Sequence, residues 1–231
     1  MSLSENLLLT RLQPPPLRTH LVNRPNLLAQ LEENLQRGCC MTLISAPAGY
    51  GKTTLLAEWV RRSGYQAAWY LLNETDNDPA RFLQYLLAAV GGILPDHLHG
   101  DLEQLSPARP QNLEPALTWL VNRLSRLPGH FMLVLDDYHL IHNDTIHSAL
   151  AFLLEHQPAQ LHLALATRAD PPLPLARLRA RGMLSELRVD DLRFNQTETT
   201  CFLNQVMDLN LPGEITNRLQ TYGLRFCEGH A

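Results

Sequence analysis

Residues Ala46 to Thr54 read APAGYGKTT, directly after the apolar run Met41-Thr42-Leu43-Ile44 and directly before Leu55-Leu56-Ala57-Glu58-Trp59-Val60. Strand, glycine-rich loop and helix in that order form a phosphate-binding loop. Gly49 and Gly51 allow the backbone to curl so that successive N–H groups face one anion. Lys52 adds a point charge for the β- and γ-phosphates, and the Thr53 hydroxyl is placed to ligate Mg²⁺. The helix that opens there offers unpaired N–H groups and the positive end of its dipole. Ala46 stands where the fingerprint G-x-x-x-x-G-K-[ST] has its first glycine. That position mainly needs a small residue at the strand exit. Ala46, Pro47, Ala48, Gly49, Tyr50, Gly51, Lys52, Thr53 and Thr54 are therefore the expected nucleotide-binding residues.

A second stretch completes the chemistry. Phe131-Met132-Leu133-Val134-Leu135 is an unbroken apolar run, as expected of a parallel strand covered on both faces, and it ends in Asp136-Asp137. Two carboxylates at the end of a buried strand are costly without a cation. Asp136 is expected to hold Mg²⁺ with Thr53. Asp137 is expected to orient and deprotonate the attacking water, with Lys52 as its partner in catalysis. Arg168 follows the short apolar run Leu161 to Ala166, and a guanidinium there can meet a γ-phosphate bidentately. His139 is read as packing in the turn after the Asp136 strand, without a catalytic role.

Around these stretches, strand and helix patterns alternate, which predicts an α/β fold of the P-loop NTPase type, a parallel sheet sandwiched by helices. Strands are expected at Met41–Ser45, Ala67–Leu72, Phe131–Leu135, Leu161–Ala166 and Leu184–Val189. Helical spacing appears in Leu27, Leu28, Leu31 and Leu35, again after Lys52 until Gly64, and again after Asp78-Pro79 with Phe82, Leu83, Leu86, Leu87 and Val90 inward. Residues 91–110 read as an exposed connection. Two further helices carry Leu113 to Leu124 and Ile146 to Leu154, and Asn195 with Glu198 makes a capping box for the last clear one. Arg177, Arg179 and Arg181 are read as a solvated face. Three units are expected: a loosely structured N-terminal segment over 1–20, the ATPase domain over 21–192, and the beginning of a helical, winged-helix-like module over 193–231.

Composition narrows the class. The chain has 231 residues, 45% hydrophobic and 18% charged, enough for a sizeable core. A formal net charge of −4 argues against an autonomous nucleic-acid surface, so no direct DNA binding is expected of this chain. Cys39, Cys40, Cys201 and Cys227 include no C-x-x-C pair and read as reduced thiols. Neither a signal peptide nor an apolar run of membrane-spanning length is present, which points to a cytoplasmic protein without membrane contact.

The chain resembles the signal-transducing ATPases with numerous domains, and within them the large LuxR-type bacterial transcriptional activators similar to the maltose regulator. The resemblance runs from about Leu12 to Leu209 and rests on LVNRPNLL at Leu21 to Leu28, APAGYGKTT, DNDPARF at Asp76 to Phe82, LVLDDYHLI at Leu133 to Ile141, and ATRADPPLPLARLRARG at Ala166 to Gly182. It implies ATP and ADP with Mg²⁺ as ligands, a place for the motif around Arg24 near the base, and a γ-phosphate-sensing role for Arg168. Asn23 replaces the glycine usual before the first arginine. The resemblance also implies C-terminal truncation, since such regulators carry a winged helix, a helical-repeat sensor and a DNA-binding helix-turn-helix. Two functional classes fit. One is the nucleotide switch of a transcription activator, self-associating with ATP and reset by slow hydrolysis. The other is a stand-alone small P-loop NTPase or a bind-only remnant without regulatory output.

Overall fold

The computed structural model describes residues 7–17, 21–95, 98, 105 and 112–209. Five parallel strands form one sheet: β1 (Met41–Ser45), β2 (Gln66–Leu71), β3 (Phe131–Asp136), β4 (Leu161–Thr167) and β5 (Leu184–Leu187), in the spatial order β2-β3-β4-β1-β5. The loop-bearing strand β1 lies between β4 and β5, and β4 separates it from β3. Because all strands run the same way, the ends of β1, β3 and β4 lie along one edge of the sheet, the edge where open α/β sheets bind ligands.

Alternation along the strands builds two separate cores, since successive side chains point to opposite faces. Leu43, Phe131, Leu133, Leu135, Leu163 and Leu165 meet α3 (Pro79–Gly91), α4 (Glu114–Leu124) and α5 (Asp144–His156). Ile44, Met132, Val134, Ala164 and Ala166 meet α1 (Pro25–Gln36) and α2 (Lys52–Ser63). The central strands β1, β3 and β4 are therefore buried along their whole length. Among the described residues no helix is long and apolar enough to cross a membrane.

Chain ends and connections depart from the expectation in particular places. The fifth strand stops at Leu187 rather than Val189, because Val189–Leu192 turns into a short helix, α7, whose Asp191 side chain accepts the Arg188 N–H at 2.7 Å. The start of the chain is less loose than its sequence suggests. Leu9–Leu12 forms a 3-10 turn against β2, and Arg11 is buried. Its guanidinium donates to the Leu71 carbonyl at 2.9 and 2.7 Å, pairs with fully buried Asp76, and lies over the Tyr85 ring at 4.4 Å. Sheet edge β2 is thereby covered. Most of the 91–110 connection lies outside the described residues, but Leu94 and Leu98 are buried rather than exposed. Arg177 and Arg179, on α6 (Leu175–Ala180), form exposed pairs with Glu155 and Glu186, as a solvated face should. The capping box at Asn195 opens α8 (Gln196–Cys201) as expected, and a π-type turn follows over Phe202–Val206. Residues 210–231 of the expected winged-helix-like module lie outside the described residues.

Candidate nucleotide-binding site

The loop after β1 has the backbone its glycines permit. Gly49 and Gly51 adopt φ of +83° and +72°, the left-handed region that side chains disfavour, and Gly51 is the residue from which α2 starts. Pro47, Ala48, Gly49 and Gly51 are exposed, Tyr50 and Ala46 are buried, and Thr53 and Thr54 are half-buried. Lys52 is also buried, and its Nζ donates to the Pro47 carbonyl at 2.8 Å, across the mouth of the loop. Burial lowers the Lys52 pKa and Arg168 adds to this, while Asp137 and Asp136 oppose it. A desolvated ammonium held by one carbonyl is a receptor for an anion.

Asp136 closes β3 with no exposed surface. Its Oδ1 accepts the Thr53 hydroxyl and the Asp137 N–H, each at 3.0 Å, and its Oδ2 is buried with no hydrogen-bond partner. Burial, reinforced by the Asp137 charge, pushes the carboxyl up to about 6 from an ordinary 3.8. An orphaned carboxylate oxygen beside a threonine hydroxyl suits a hard divalent cation. Among the described residues no three His, Cys, Asp or Glu side chains cluster to hold a metal alone. Mg²⁺ fits these donors because it takes one or two protein oxygens and completes its shell with phosphate and water.

Asp137 sits at φ +58°, outside the strand conformation, and its carboxylate is partly exposed while that of Asp136 is not. The 3-10 turn Tyr138–Leu140 that follows brings His139 Nδ1 to 3.8 Å from Asp137 Oδ1. This turn is itself clamped from a distance. Asn77 donates to the Leu140 carbonyl at 2.8 Å and accepts the His142 N–H at 2.6 Å, and its own carbonyl accepts from Asn143 at 2.9 Å. The segment DNDPARF thus acquires physical reasons. Asp76 takes Arg11, Arg81 and the Asn73 N–H, Asn77 holds the turn after β3, and Asp78 caps α3 with Pro79 in its first turn.

Arg168 leaves the end of β4 exposed, next to the loop, since Ser45 pairs with Thr167 and the Ala46 N–H donates to the Thr167 carbonyl at 3.2 Å. Thr167 fixes the direction of departure, its hydroxyl donating to the Ala169 carbonyl at 2.7 Å. Arg168 is close enough to lower the pKa of both Lys52 and His139. Lys52, Thr53, Asp136, Asp137 and Arg168 are therefore brought together. Arg24 is engaged elsewhere. Its buried guanidinium pairs with Glu198 at 3.2 Å, donates to the carbonyls of Leu192 and Arg193 at 2.6 and 2.9 Å, and lies over Phe194. The roles of Asn77 and Thr167 and this use of Arg24 were not foreseen from the sequence. Asn77 lies within the DNDPARF segment, which marks the place without the role; the other two depend on contacts that only folding makes.

Comparison with known proteins agrees with this geometry. Residues 20–166 match the family described as an AAA ATPase domain. The chain is 40% identical over 179 residues to the HTH-type transcriptional regulator MalT of Yersinia enterocolitica, covering 78% of this chain and 20% of that protein. It is 35% identical over 190 residues to the Vibrio cholerae regulator of the same name, covering 81% and 21%. It thus spans about a fifth of the length of these curated relatives. Among solved structures it is similar to a signal transduction ATPase with numerous domains and a tetratricopeptide repeat sensor from Pyrococcus horikoshii, with a TM-score of 0.54, 16% identity and coverage of 93% and 30%. It is also similar to Cdc6p from Pyrobaculum aerophilum, with a TM-score of 0.56, 15% identity and coverage of 92% and 58%. These two likenesses concern the fold, and they agree with a P-loop NTPase sheet. With the match extending over well over half of the chain and the relatives bearing out the resemblance to the maltose-regulator type, the chain belongs to the AAA ATPase domain family.

Proposed function

We propose that the chain is the nucleotide switch of a cytoplasmic bacterial transcription regulator of the maltose-regulator type, binding ATP or ADP with Mg²⁺ and hydrolysing ATP slowly. The observation that carries this is the arrival of Lys52, Thr53, Asp136, Asp137 and Arg168 at one edge of the sheet, with a buried oxygen of Asp136 unpaired. Backbone N–H groups from Ala48 to Thr54 surround the phosphates, and Lys52 exchanges the Pro47 carbonyl for β- and γ-phosphate oxygens. Thr53 and Asp136 would hold Mg²⁺, which would supply positive charge to offset that of the phosphates. Asp137 takes a proton from the water that attacks the γ-phosphorus, and the bond to the β-phosphate oxygen breaks, releasing ADP. Arg168 contacts the γ-phosphoryl group only, so the triphosphate and diphosphate states differ in what holds the loop after β4.

In this reading ATP favours a self-associating state and hydrolysis resets it. The segment around Arg24 lies on the base side, and the chain itself makes no DNA contact. Calorimetric titration of ATP and ADP with Mg²⁺ tests the core of the proposal. Lys52→Ala should weaken both by at least about tenfold, because charge-assisted hydrogen bonds contribute roughly 1.5–3 kcal/mol. Equal affinity in wild type and variant would overturn the assignment of the loop. Tight binding with no measurable hydrolysis would favour a bind-only domain.

A further inference from the structure

The base proposed for hydrolysis, Asp137, is poorly restrained by the contacts that hold its neighbour. Asp136 has the Thr53 hydroxyl and a backbone N–H on one oxygen. The Asp137 carboxylate is 36% exposed, and the side chain that approaches it is His139, whose Nδ1 lies 3.8 Å from Oδ1. That ring is mostly buried, with 14% of the side chain exposed, and its Nδ1 is buried without a hydrogen-bond partner among the described residues.

Unpartnered buried nitrogens are uncommon in folded proteins. His147 and His162 follow the rule. His147 Nδ1 is bonded to the Tyr138 hydroxyl at 2.7 Å, and His162 meets the Cys39 carbonyl at 2.9 Å and the Thr42 hydroxyl at 3.0 Å. His139 is different: its free nitrogen is turned toward a carboxylate of the site. The charged and titratable groups that act on the ring are Asp137, Arg168, Lys52 and His142. Burial and the two cations outweigh Asp137 and lower the pKa of the ring, which keeps it neutral with one N–H to donate.

We infer that His139 is a positioning residue for ATP hydrolysis: its Nδ1–H donates to one Asp137 carboxylate oxygen, leaving the other to face the attacking water. The separation must close by about 1 Å to reach a hydrogen bond. The exposed carboxylate supplies that movement by rotating, while Asn77 fixes the turn that bears the ring. A general base is efficient only within hydrogen-bond reach of the proton it takes, and an unrestrained carboxylate spends much of its time elsewhere. This inference rests on the reading of Asp137 as the base.

The test compares His139→Ala, His139→Asn and Asp137→Asn with wild type in steady-state ATP hydrolysis and in titrations with a non-hydrolysable ATP analogue. Removal of a partner that orients a reactive ligand typically costs about ten- to a hundredfold, and His139→Ala should lower kcat by that factor with affinity changed less than about twofold. His139→Asn, whose amide nitrogen can reach the place of Nδ1, should recover most of the rate. Nitrogen NMR of the analogue-bound wild type should show the Nδ1–H tautomer. A wild-type rate in His139→Ala, with Asp137→Asn inactive, would overturn the inference and leave the base standing. Unimpaired hydrolysis by Asp137→Asn would overturn both. Equal losses in the Ala and Asn variants at unchanged melting temperature, or the Nε2–H tautomer, would show that the ring only fills space.

Discussion

Replacing Asp136 by Asn should make the protein without nucleotide more stable and less able to use Mg²⁺. Asp136 is fully buried, and its carboxyl is pushed up to about 6 from 3.8, chiefly by burial and then by Asp137. A tenfold change in proton affinity corresponds to about 1.4 kcal/mol, so ionised Asp136 costs the native state about 3 kcal/mol above pH 6. The native state holds its proton more tightly than the unfolded chain does. Stability contributed by the protonated form is therefore fully present below about pH 4 and is lost as pH rises toward 6. The Asn amide oxygen still accepts from Thr53 and from the Asp137 N–H, as Oδ1 does now. Its amide nitrogen falls where Oδ2 has no partner, and an unsatisfied buried group costs about 1–3 kcal/mol. A net gain of up to about 2 kcal/mol remains at pH 8, or a rise of up to roughly 8 °C in melting temperature for a domain of this size. At pH 5 wild-type Asp136 is largely protonated, and the gain should disappear. Thermal unfolding at the two pH values, without nucleotide and then with Mg²⁺ and ATP, reads both effects, since the added ligands should stabilise wild type more than the variant. A variant less stable than wild type at pH 8, or a gain of the same size at pH 5, would mean that the buried charge of Asp136 is not what the native state bears.

Two other substitutions separate recognition from support. If Arg168 contacts the γ-phosphate alone, as proposed, Arg168→Ala should weaken a non-hydrolysable ATP analogue by about ten- to a hundredfold, the loss of a charge-assisted contact of roughly 1.5–3 kcal/mol, while ADP changes little; paired titrations check this, and equal losses would remove Arg168 from the switch. Arg11→Ala should destabilise the fold by about 3–5 kcal/mol in urea unfolding, since it strips one partner from the buried Asp76 and leaves partly exposed Arg81 and one N–H; a loss below about 1 kcal/mol would mean that Asp76 is compensated by those two.

The parts of this fold that were legible in the sequence are those whose cause is local. Strand β3 announces itself because every residue from Phe131 to Leu135 must be apolar when helices cover both faces, and α3 because Asp78 and Pro79 supply its cap and first turn. The phosphate loop is legible for the same reason, its left-handed turns falling on Gly49 and Gly51. What the sequence hides is pairing across distance. Nothing near Arg11 indicates that its partner is Asp76, 65 residues away, or that the edge of β2 needs covering. Nothing near Arg24 shows that its guanidinium will close on Glu198 and the carbonyls after β5, 167 or more residues further on. Charge and polarity say that such groups need partners; only the folded chain says which.

Arg24 also bears on how a nucleotide signal could leave the site. It is the residue from which α1 starts, and its guanidinium holds both the end of α7 and Glu198, whose carboxylate simultaneously caps the N–H of Asn195 at 2.9 Å. On the other side, Arg188 pairs with Asp170, two residues beyond Arg168 in the loop after β4, and its N–H is held by Asp191 in α7. The loop that bears Arg168 and the segment that bears Arg24 thus both terminate on residues 188–198. Any displacement of Arg168 has a short physical route to that segment, through one ion pair and one capping bond. Coupling of this kind is a free energy shared by two sites, so it is measurable as one. If the route carries the switch, Arg188→Ala should leave ADP affinity unchanged and reduce whatever difference ATP and ADP make to hydrogen exchange in α8. An undiminished difference would mean that the signal travels by another path.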